Sequence, residues 1–334
     1  MLLAFLLTAC SALSLTPEPL PTLFELPTLT SLPPTATPQP IADATTDPAE
    51  TEEALPADPA PAPAEAAFVC EEGDGTLVEG TYPSAIAGQD VSYRVYLPPC
   101  YETSGKRYPV LYMMHGLGQG MNYTQWDDMG LDEAAAEGYA SGALPPFIIV
   151  MPDGAVFLPN GTVVHGMNYF SPSNSYEYMI LNELMPAIEA EYCTWEAPEG
   201  RAIGGLSRGG FWAYEIAFRH PELFSAVGGH SAYFYESPEI PPANNPLNLA
   251  TDAEGIEGLR LYFDHGSGDY PEVQQAMGII TARLDERGLA PTYVVNAVGG
   301  HNEDYWAAHT GDYLSFYAAE WPNDINLLPP CSRP

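Results

Sequence analysis

Ser207 sits in Gly204-Gly-Leu-Ser-Arg-Gly-Gly210, a G-x-S-x-G pattern with an extra glycine at each end. Ala202-Ile203 ahead of it reads as a short buried strand. Phe211 to Phe218 behind it carries apolar residues at helical spacing. Strand, sharp turn and helix would hold the hydroxyl up above a sheet, with glycines where a Cβ would clash. A serine hydroxyl is a weak nucleophile at neutral pH, so it needs a base within hydrogen-bond reach and a third group to orient that base. Where a serine stands on such a turn, the acid and then the histidine follow it in the chain.

His301, in Val298-Gly-Gly-His-Asn-Glu303, is the candidate base. Its loop follows the last expected strand and should open on the same side of the sheet as Ser207. His309 falls inside the last expected helix, and His220 and His230 are too near Ser207 in the chain to serve easily. Asp269 is the expected acid, a few residues beyond the strand Leu259 to Phe263 and past a Gly-Ser-Gly turn. Asp264, at that strand's end, is its competitor. Two backbone amides are expected to stabilise an oxyanion: that of Arg208, at a helix N-terminus, and that of Leu117, in Met114-His-Gly-Leu-Gly-Gln-Gly120. Together these groups would perform nucleophilic acyl transfer.

The elements that must position them alternate. Thr76 to Pro83 and Asp90 to Pro98 have the period-two pattern of half-buried antiparallel strands. Pro109 to Gly116 and Pro146 to Asp153 are more continuously apolar, as strands covered on both faces are. Helices are expected at Leu131 to Tyr139, Tyr178 to Tyr192, Pro271 to Arg287 and Tyr305 to Trp321. Further strands are expected at Ala226 to Ser231, Leu259 to Gly266 and Thr292 to Val298. The pattern predicts an α/β fold with a mostly parallel sheet flanked by helices and antiparallel first strands. Pro238 to Pro246 reads as a loop able to cover the site.

The front of the 334-residue chain is different. Met1 to Cys10 is apolar and ends in Leu-Thr-Ala-Cys, which resembles the lipobox of bacterial lipoproteins, with Cys10 as the lipidated residue. Residues 1–9 are then a signal peptide, although the basic n-region is missing, which points to a truncated or misplaced start. Residues 10–67 are rich in Pro, Thr and Ala and contain acids but no Lys or Arg, so a disordered tether is expected, with the folded domain at 68–334. The net charge is −34, and setting aside the nine acids of the tether leaves 35 acids against 10 bases. That excess excludes nucleic acid as a partner, and a membrane is met only through an anchor at Cys10. Cys70, Cys100, Cys193 and Cys331 remain, an even number in an exported chain, and their spacing does not resemble a zinc site. Of the three pairings, 70–100 and 193–331 are expected, each tying down a peripheral segment.

Several stretches carry a family resemblance: Val95-Tyr-Leu-Pro-Pro, Tyr108-Pro-Val-Leu-Tyr-Met-Met-His-Gly-Leu-Gly, Gly204-Gly-Leu-Ser-Arg-Gly-Gly, Gly266-Ser-Gly-Asp and Gly299-Gly-His. Over residues 76 to 321 the chain resembles the esterase D and feruloyl esterase-like branch of the α/β-hydrolases. That branch includes feruloyl and acetylxylan esterases, S-formylglutathione hydrolase, enterochelin esterases and mycolyltransferase antigens. The resemblance implies a triad of Ser207, Asp269 and His301, amide donors at Leu117 and Arg208, no cofactor, and a serine carboxylesterase, exported and surface-anchored or secreted. Its substrates would be small esters or glycan esters, with feruloyl or acetyl esters of polysaccharides favoured. Tyr169, Phe170, Trp212, Tyr233, Tyr235 and Trp306 are candidates to stack on sugar or aromatic acyl groups. An acyltransferase of the mycolyltransferase type and a non-catalytic carbohydrate-binding surface protein are the alternatives.

Because residues before Phe68 carry neither core pattern nor catalytic group, a chain starting there should keep full activity. Comparing kcat/KM of the two forms on one activated ester checks this. A large loss would show that the segment is no linker.

Overall fold

The computed structural model describes residues 67–118, 122–157, 163–165 and 175–332. The signal peptide and tether readings, Cys10, Tyr169 and Phe170 fall outside the described residues. The antiparallel strands β1 (Thr76–Ser84) and β2 (Gln89–Leu97) lead into β3 (Val110–Met114) and β4 (Ile148–Pro152). A short ribbon of β5 (Ala155–Phe157) and β6 (Val163–His165), not foreseen in the sequence, stands apart. The sheet continues with β7 (Arg201–Leu206), β8 (Ala226–His230), β9 (Arg260–Gly266) and β10 (Thr292–Asn296). Its order is β1-β2-β4-β3-β7-β8-β9-β10, parallel from β4 onward and antiparallel at β1–β2 and β2–β4.

The helices are α1 (Tyr101–Ser104), α2 (Gln125–Asp128), α3 (Leu131–Ser141), α4 (Tyr176–Tyr178), α5 (Met185–Glu191), α6 (Arg208–Arg219), α7 (Pro246–Asp252), α8 (Pro271–Glu286), α9 (Glu303–Ala307) and α10 (Thr310–Ala318). A π-helical stretch, Met179–Leu184, joins α4 to α5. Every residue of β3, β4 and β8 is buried, because helices cover both faces. The period of two sorts their side chains. Val110, Tyr112 and Met114 face the layer of α6, α7 and α8, while Leu111 and Met113 face that of α2, α3 and α10.

Two expectations need correction. The last helix is not continuous from Tyr305 to Trp321. Asn302 Oδ1 caps α9 by accepting from Tyr305 N (3.0 Å), and the chain leaves helical geometry at His309 (φ −118°, ψ 6°) before α10 starts. Gly311, a weak helix former, lies just past that break. The stretch from Pro238 to Pro246 is not purely loop either. Asn245 Oδ1 accepts from Leu247 N (3.0 Å) and starts α7, with Pro246 at the first helical position, where its missing N–H costs nothing.

The cysteines pair as expected, Cys70–Cys100 and Cys193–Cys331, with Cα separations of 5.7 and 5.9 Å. The segments around Phe68 and Asn326 are also tied by polar contacts. Phe68 N donates to Asn326 Oδ1 (2.8 Å) and Asn326 Nδ2 donates to Phe68 O (3.1 Å). Lys106, the one lysine, places Nζ on the carbonyls of Asn326 and Leu328 (3.0 and 3.2 Å), at the C-terminal end of a short 3-10 helix.

Removing Cys193–Cys331 should destabilise more than removing Cys70–Cys100, since the sequence separations are 138 and 30. Loop-closure entropy puts the difference at about 1 kcal/mol on losses of about 2–4 kcal/mol each. Denaturant unfolding of the two Cys→Ser pairs measures it, and the reverse order would contradict the entropic account.

Candidate active site

The turn at Ser207 is strained, with φ 51° and ψ −116° at a non-glycine residue. Backbone bonds to the end of β8 and to the segment that follows it hold it there. Ser207 N donates to His230 O and Tyr233 N donates to Ser207 O, both at 2.9 Å. The flanking glycines answer to a close approach. A Cβ on Gly209 would lie 2.3 Å from Met114 O and 2.5 Å from His115 O, and one on Gly205 would lie 2.5 Å from the carbonyl carbon of Gly209. The first turn of α6 thus rests on the end of β3 with no space for side chains.

Three side chains from distant parts of the sequence meet above that turn. His301 Nε2 lies 2.9 Å from Ser207 Oγ, and His301 Nδ1 lies 2.9 Å from Asp269 Oδ1. With the carboxylate at Nδ1, the ring keeps its proton there and offers Nε2 as acceptor to the serine hydroxyl. Asp269 is buried and its Oδ1 also accepts from Tyr270 N (2.6 Å), so the oxygen that meets His301 is held by a second bond. Asp269 reaches His301 because the Gly-Ser-Gly turn lies flat on the histidine loop. Gly268 N donates to Gly299 O and Ser267 N to Asn296 O, both at 2.8 Å. Gly299 has φ 104°, and a Cβ on Gly266 would come within 2.3 Å of Gly299 O.

The competitor Asp264 is engaged elsewhere, in a fully buried cluster. Its Oδ1 lies 2.8 Å from His230 Nδ1, and its Oδ2 accepts from the hydroxyls of Tyr305 and, at 3.0 Å, Tyr313. His230 Nε2 in turn meets the Tyr317 hydroxyl at 2.9 Å. Asp264 is therefore engaged in the core and not with His301. His220 faces Glu177 at 2.7 Å, and His309 sits at the helix break, 3.0 Å from Asp312.

Arg208 is the first residue of α6, so its amide lies at the positive end of the helix dipole. Leu117 lines the same cavity as Ser207 and His301, about 380 Å³ in volume. Side chains that sequence reasoning missed hold the Leu117 loop. Gly116 N donates to Gln125 Oε1 (2.9 Å), and Gly154 N donates to His115 Nε2 (2.7 Å). Gln125 Nε2 donates to Glu303 Oε1 (3.1 Å), joining this loop to the start of α9.

Tyr233, Tyr235 and Tyr270 form the aromatic walls of the cavity, and residues 238–246 are not among its lining. Tyr270, directly after the candidate acid, carries no local signal of a role at the site. It stacks on His301 (4.8 Å, 28° between planes) and is half exposed. Trp212 and Trp306 are corrected from cleft to core: both are fully buried, Trp306 with its edge to His301 at 5.1 Å. The Arg208 guanidinium donates to Tyr235 Oη (2.8 Å) and lies over the ring of Phe211. Burial pushes its pKa below the ordinary arginine range. Among the described residues no group of His, Cys, Asp and Glu side chains converges to hold a metal ion.

Known proteins resemble this chain in sequence and in fold. Residues 84–320 match the family model described as "Putative esterase". The chain is 32% identical over 160 residues to an esterase of Mycobacterium tuberculosis, covering 48% of this chain and 33% of that one. It is 34% identical over 193 residues to an endo-1,4-beta-xylanase/feruloyl esterase of Xylanibacter ruminicola, covering 55% of this chain and 26% of that one. The chain thus spans about a third or less of the length of these curated relatives. Among solved structures, a ferulic acid esterase superposes with a TM-score of 0.66 at 24% identity, over 75% of this chain and 99% of its own. An S-formylglutathione hydrolase of Staphylococcus aureus gives 0.60 at 17% identity, over 73% and 99%. The structural likenesses establish the α/β-hydrolase fold, and the family model, spanning most of the chain, establishes more: the chain belongs to the "Putative esterase" family.

Proposed function

We propose that the protein is a serine carboxylesterase with Ser207, His301 and Asp269 as its triad. The observation that carries this reading is the unbroken hydrogen-bond line from Asp269 through His301 to Ser207, opening on a tyrosine-walled cavity. His301 Nε2 takes the Ser207 proton as Oγ attacks the ester carbonyl. The resulting oxyanion is met by the amides of Leu117 and Arg208. Collapse of the tetrahedral intermediate breaks the ester C–O bond, and the imidazolium returns its proton to the leaving alcohol. Water then attacks the acyl-enzyme with His301 as base, releasing the acid and restoring Ser207. Asp269 holds the imidazole in the correct tautomer and stabilises its charge when it forms.

For the substrate we favour esters with an aromatic acyl group, such as feruloyl esters of polysaccharide side chains. Tyr233, Tyr235 and Tyr270 offer ring faces and edges beside the nucleophile, and a relative over half of this chain bears the name of a feruloyl esterase. Two disulfides suit an oxidising compartment, so we place the folded part, residues 68–334, outside the cytoplasm. A lipid anchor at Cys10 and a tether over residues 10–67 complete this reading. Loss of the lipid adduct mass in Cys10→Ala would support the anchor, and an unchanged mass would argue against it.

Asp269→Asn should lower kcat by about 10⁴-fold with little change in KM, because the acid orients the base and does not touch the ester. A folded variant with near-normal kcat would remove Asp269 from the triad. Tyr233→Ala tests the substrate class. Losing one aromatic contact worth about 1 kcal/mol should raise KM for methyl ferulate roughly fivefold and leave short acetyl esters nearly unchanged. Equal effects on both esters would argue against an aromatic acyl pocket.

A further inference from the structure

Tyr305 is not among the residues that line the cavity, yet it contacts the strands that carry the acid and the histidine and the loop of His301 itself. Its hydroxyl donates to Asp264 Oδ2 at the end of β9 and accepts from Asn296 Nδ2 (2.8 Å) at the end of β10. The backbone carbonyl of Asn296 is the acceptor that pins Ser267 in the turn before Asp269. The Tyr305 ring lies against Gly299, so closely that a Cβ there would be 2.2 Å from Tyr305 Cδ2. The carbonyl of Gly299 pins Gly268 in the same turn. Finally, Tyr305 N donates to the Asn302 side chain, closing the cap that directly follows His301. The ring and its two polar ends therefore touch the His301 loop and the two strands from which the catalytic loops spring, and they meet the Asp269 turn through the residues whose carbonyls pin it, Asn296 and Gly299.

We propose that Tyr305 is a positioning residue for the catalytic reaction, its contacts with Asp264, Asn296 and Gly299 fixing the loop of His301 against the loop of Asp269. The inference rests on the triad reading given above. It also gives the buried Asp264 a purpose, as the fixed acceptor that anchors Tyr305 from below. Burial first, and then the Asp264 charge, push the phenols of Tyr305 and Tyr313 far above their ordinary value, so both remain donors to that carboxylate. Tyr313 supplies the natural comparison. It donates to the same Oδ2 atom but stands on α10 and stacks on His230 at 3.6 Å, with no contact to either catalytic loop among the described interactions. A purely structural role would make the two hydroxyls equivalent, whereas a positioning role makes them unlike.

The test is to compare Tyr305→Phe with Tyr313→Phe, each of which removes one hydroxyl and keeps its ring. Both should lower the melting temperature by a similar few degrees, about 2–8 °C. Tyr305→Phe should in addition lower kcat by about 10- to 100-fold with KM within about twofold, the expected result of a small misplacement of the base. Tyr313→Phe should hold kcat within about twofold. Equal kcat losses in the two variants, or an unchanged kcat in Tyr305→Phe, would overturn the proposal. Should Tyr305→Phe fail to fold, Asn296→Ala removes only the second bond to the same hydroxyl. A lowered kcat at constant KM would then support the assignment, and an unchanged kcat would overturn it. Ser207→Ala measured alongside separates the two levels. Activity retained in that variant refutes the triad itself, while a dead Ser207→Ala beside a fully active Tyr305→Phe refutes only the positioning role.

Discussion

The approach of α6 to the end of β3 is the constraint on which the site depends. At Gly209 the helix backbone comes so near the Met114 and His115 carbonyls that even a methyl group would not fit. This contact forces the chain to turn within one residue, and Ser207 takes the strained conformation that results. Strain of this kind, of order 1–3 kcal/mol, survives only where the surroundings over-determine the backbone. Here the bonds to His230 and Tyr233 and the covered strands on both sides of β7 do so. The same contact brings the Leu117 loop, which continues β3, beside the serine. One close packing thus places both the nucleophile and the groups meant to receive its charge.

The other half of the site is built on a different principle. His301 and Asp269 come from the ends of β10 and β9, neighbouring parallel strands, and their loops are laced by backbone bonds at Gly268–Gly299 and Ser267–Asn296. Glycines at 266, 268 and 299 let the two loops lie flat on each other. Beneath them the Asp264–His230 pair and its tyrosines form a buried polar cluster. Buried ionisable groups cost desolvation, and this cluster offsets the cost by engaging both oxygens of the carboxylate and both ring nitrogens of His230. Its satisfied bonds turn an expensive buried charge into a rigid floor under the catalytic loops.

Much of this was legible in the sequence for physical reasons. The G-x-S-x-G pattern speaks through sterics, and the period-two and period-3.6 patterns speak through burial, so the nucleophile, the strands and most helices could be read directly. Asp269 could be preferred to Asp264 because a Gly-Ser-Gly turn gives reach. The role of Asp264 could not, since nothing local in His265-Gly266 announces three tyrosine and histidine partners up to 49 residues distant. The break at His309 has no local signature, because apolar spacing continues across it from Tyr305 to Tyr317. Trp212 and Trp306 look like ligand-binding aromatics in one dimension and are core in three, where burial on both sides of the helix decides. Gln125, linking the Leu117 loop to Glu303, is a long-range hydrogen bond with no local signature.

The central claim is that Ser207 carries the acyl group during turnover. Acid-quenched mass spectrometry of the enzyme mixed with a slowly released aryl ester tests it most directly. A transient mass increase equal to the acyl group is expected on the peptide that contains Ser207, forming and decaying at rates consistent with kcat. Steady turnover with no acyl adduct on that peptide, or with the adduct on another residue, would contradict it.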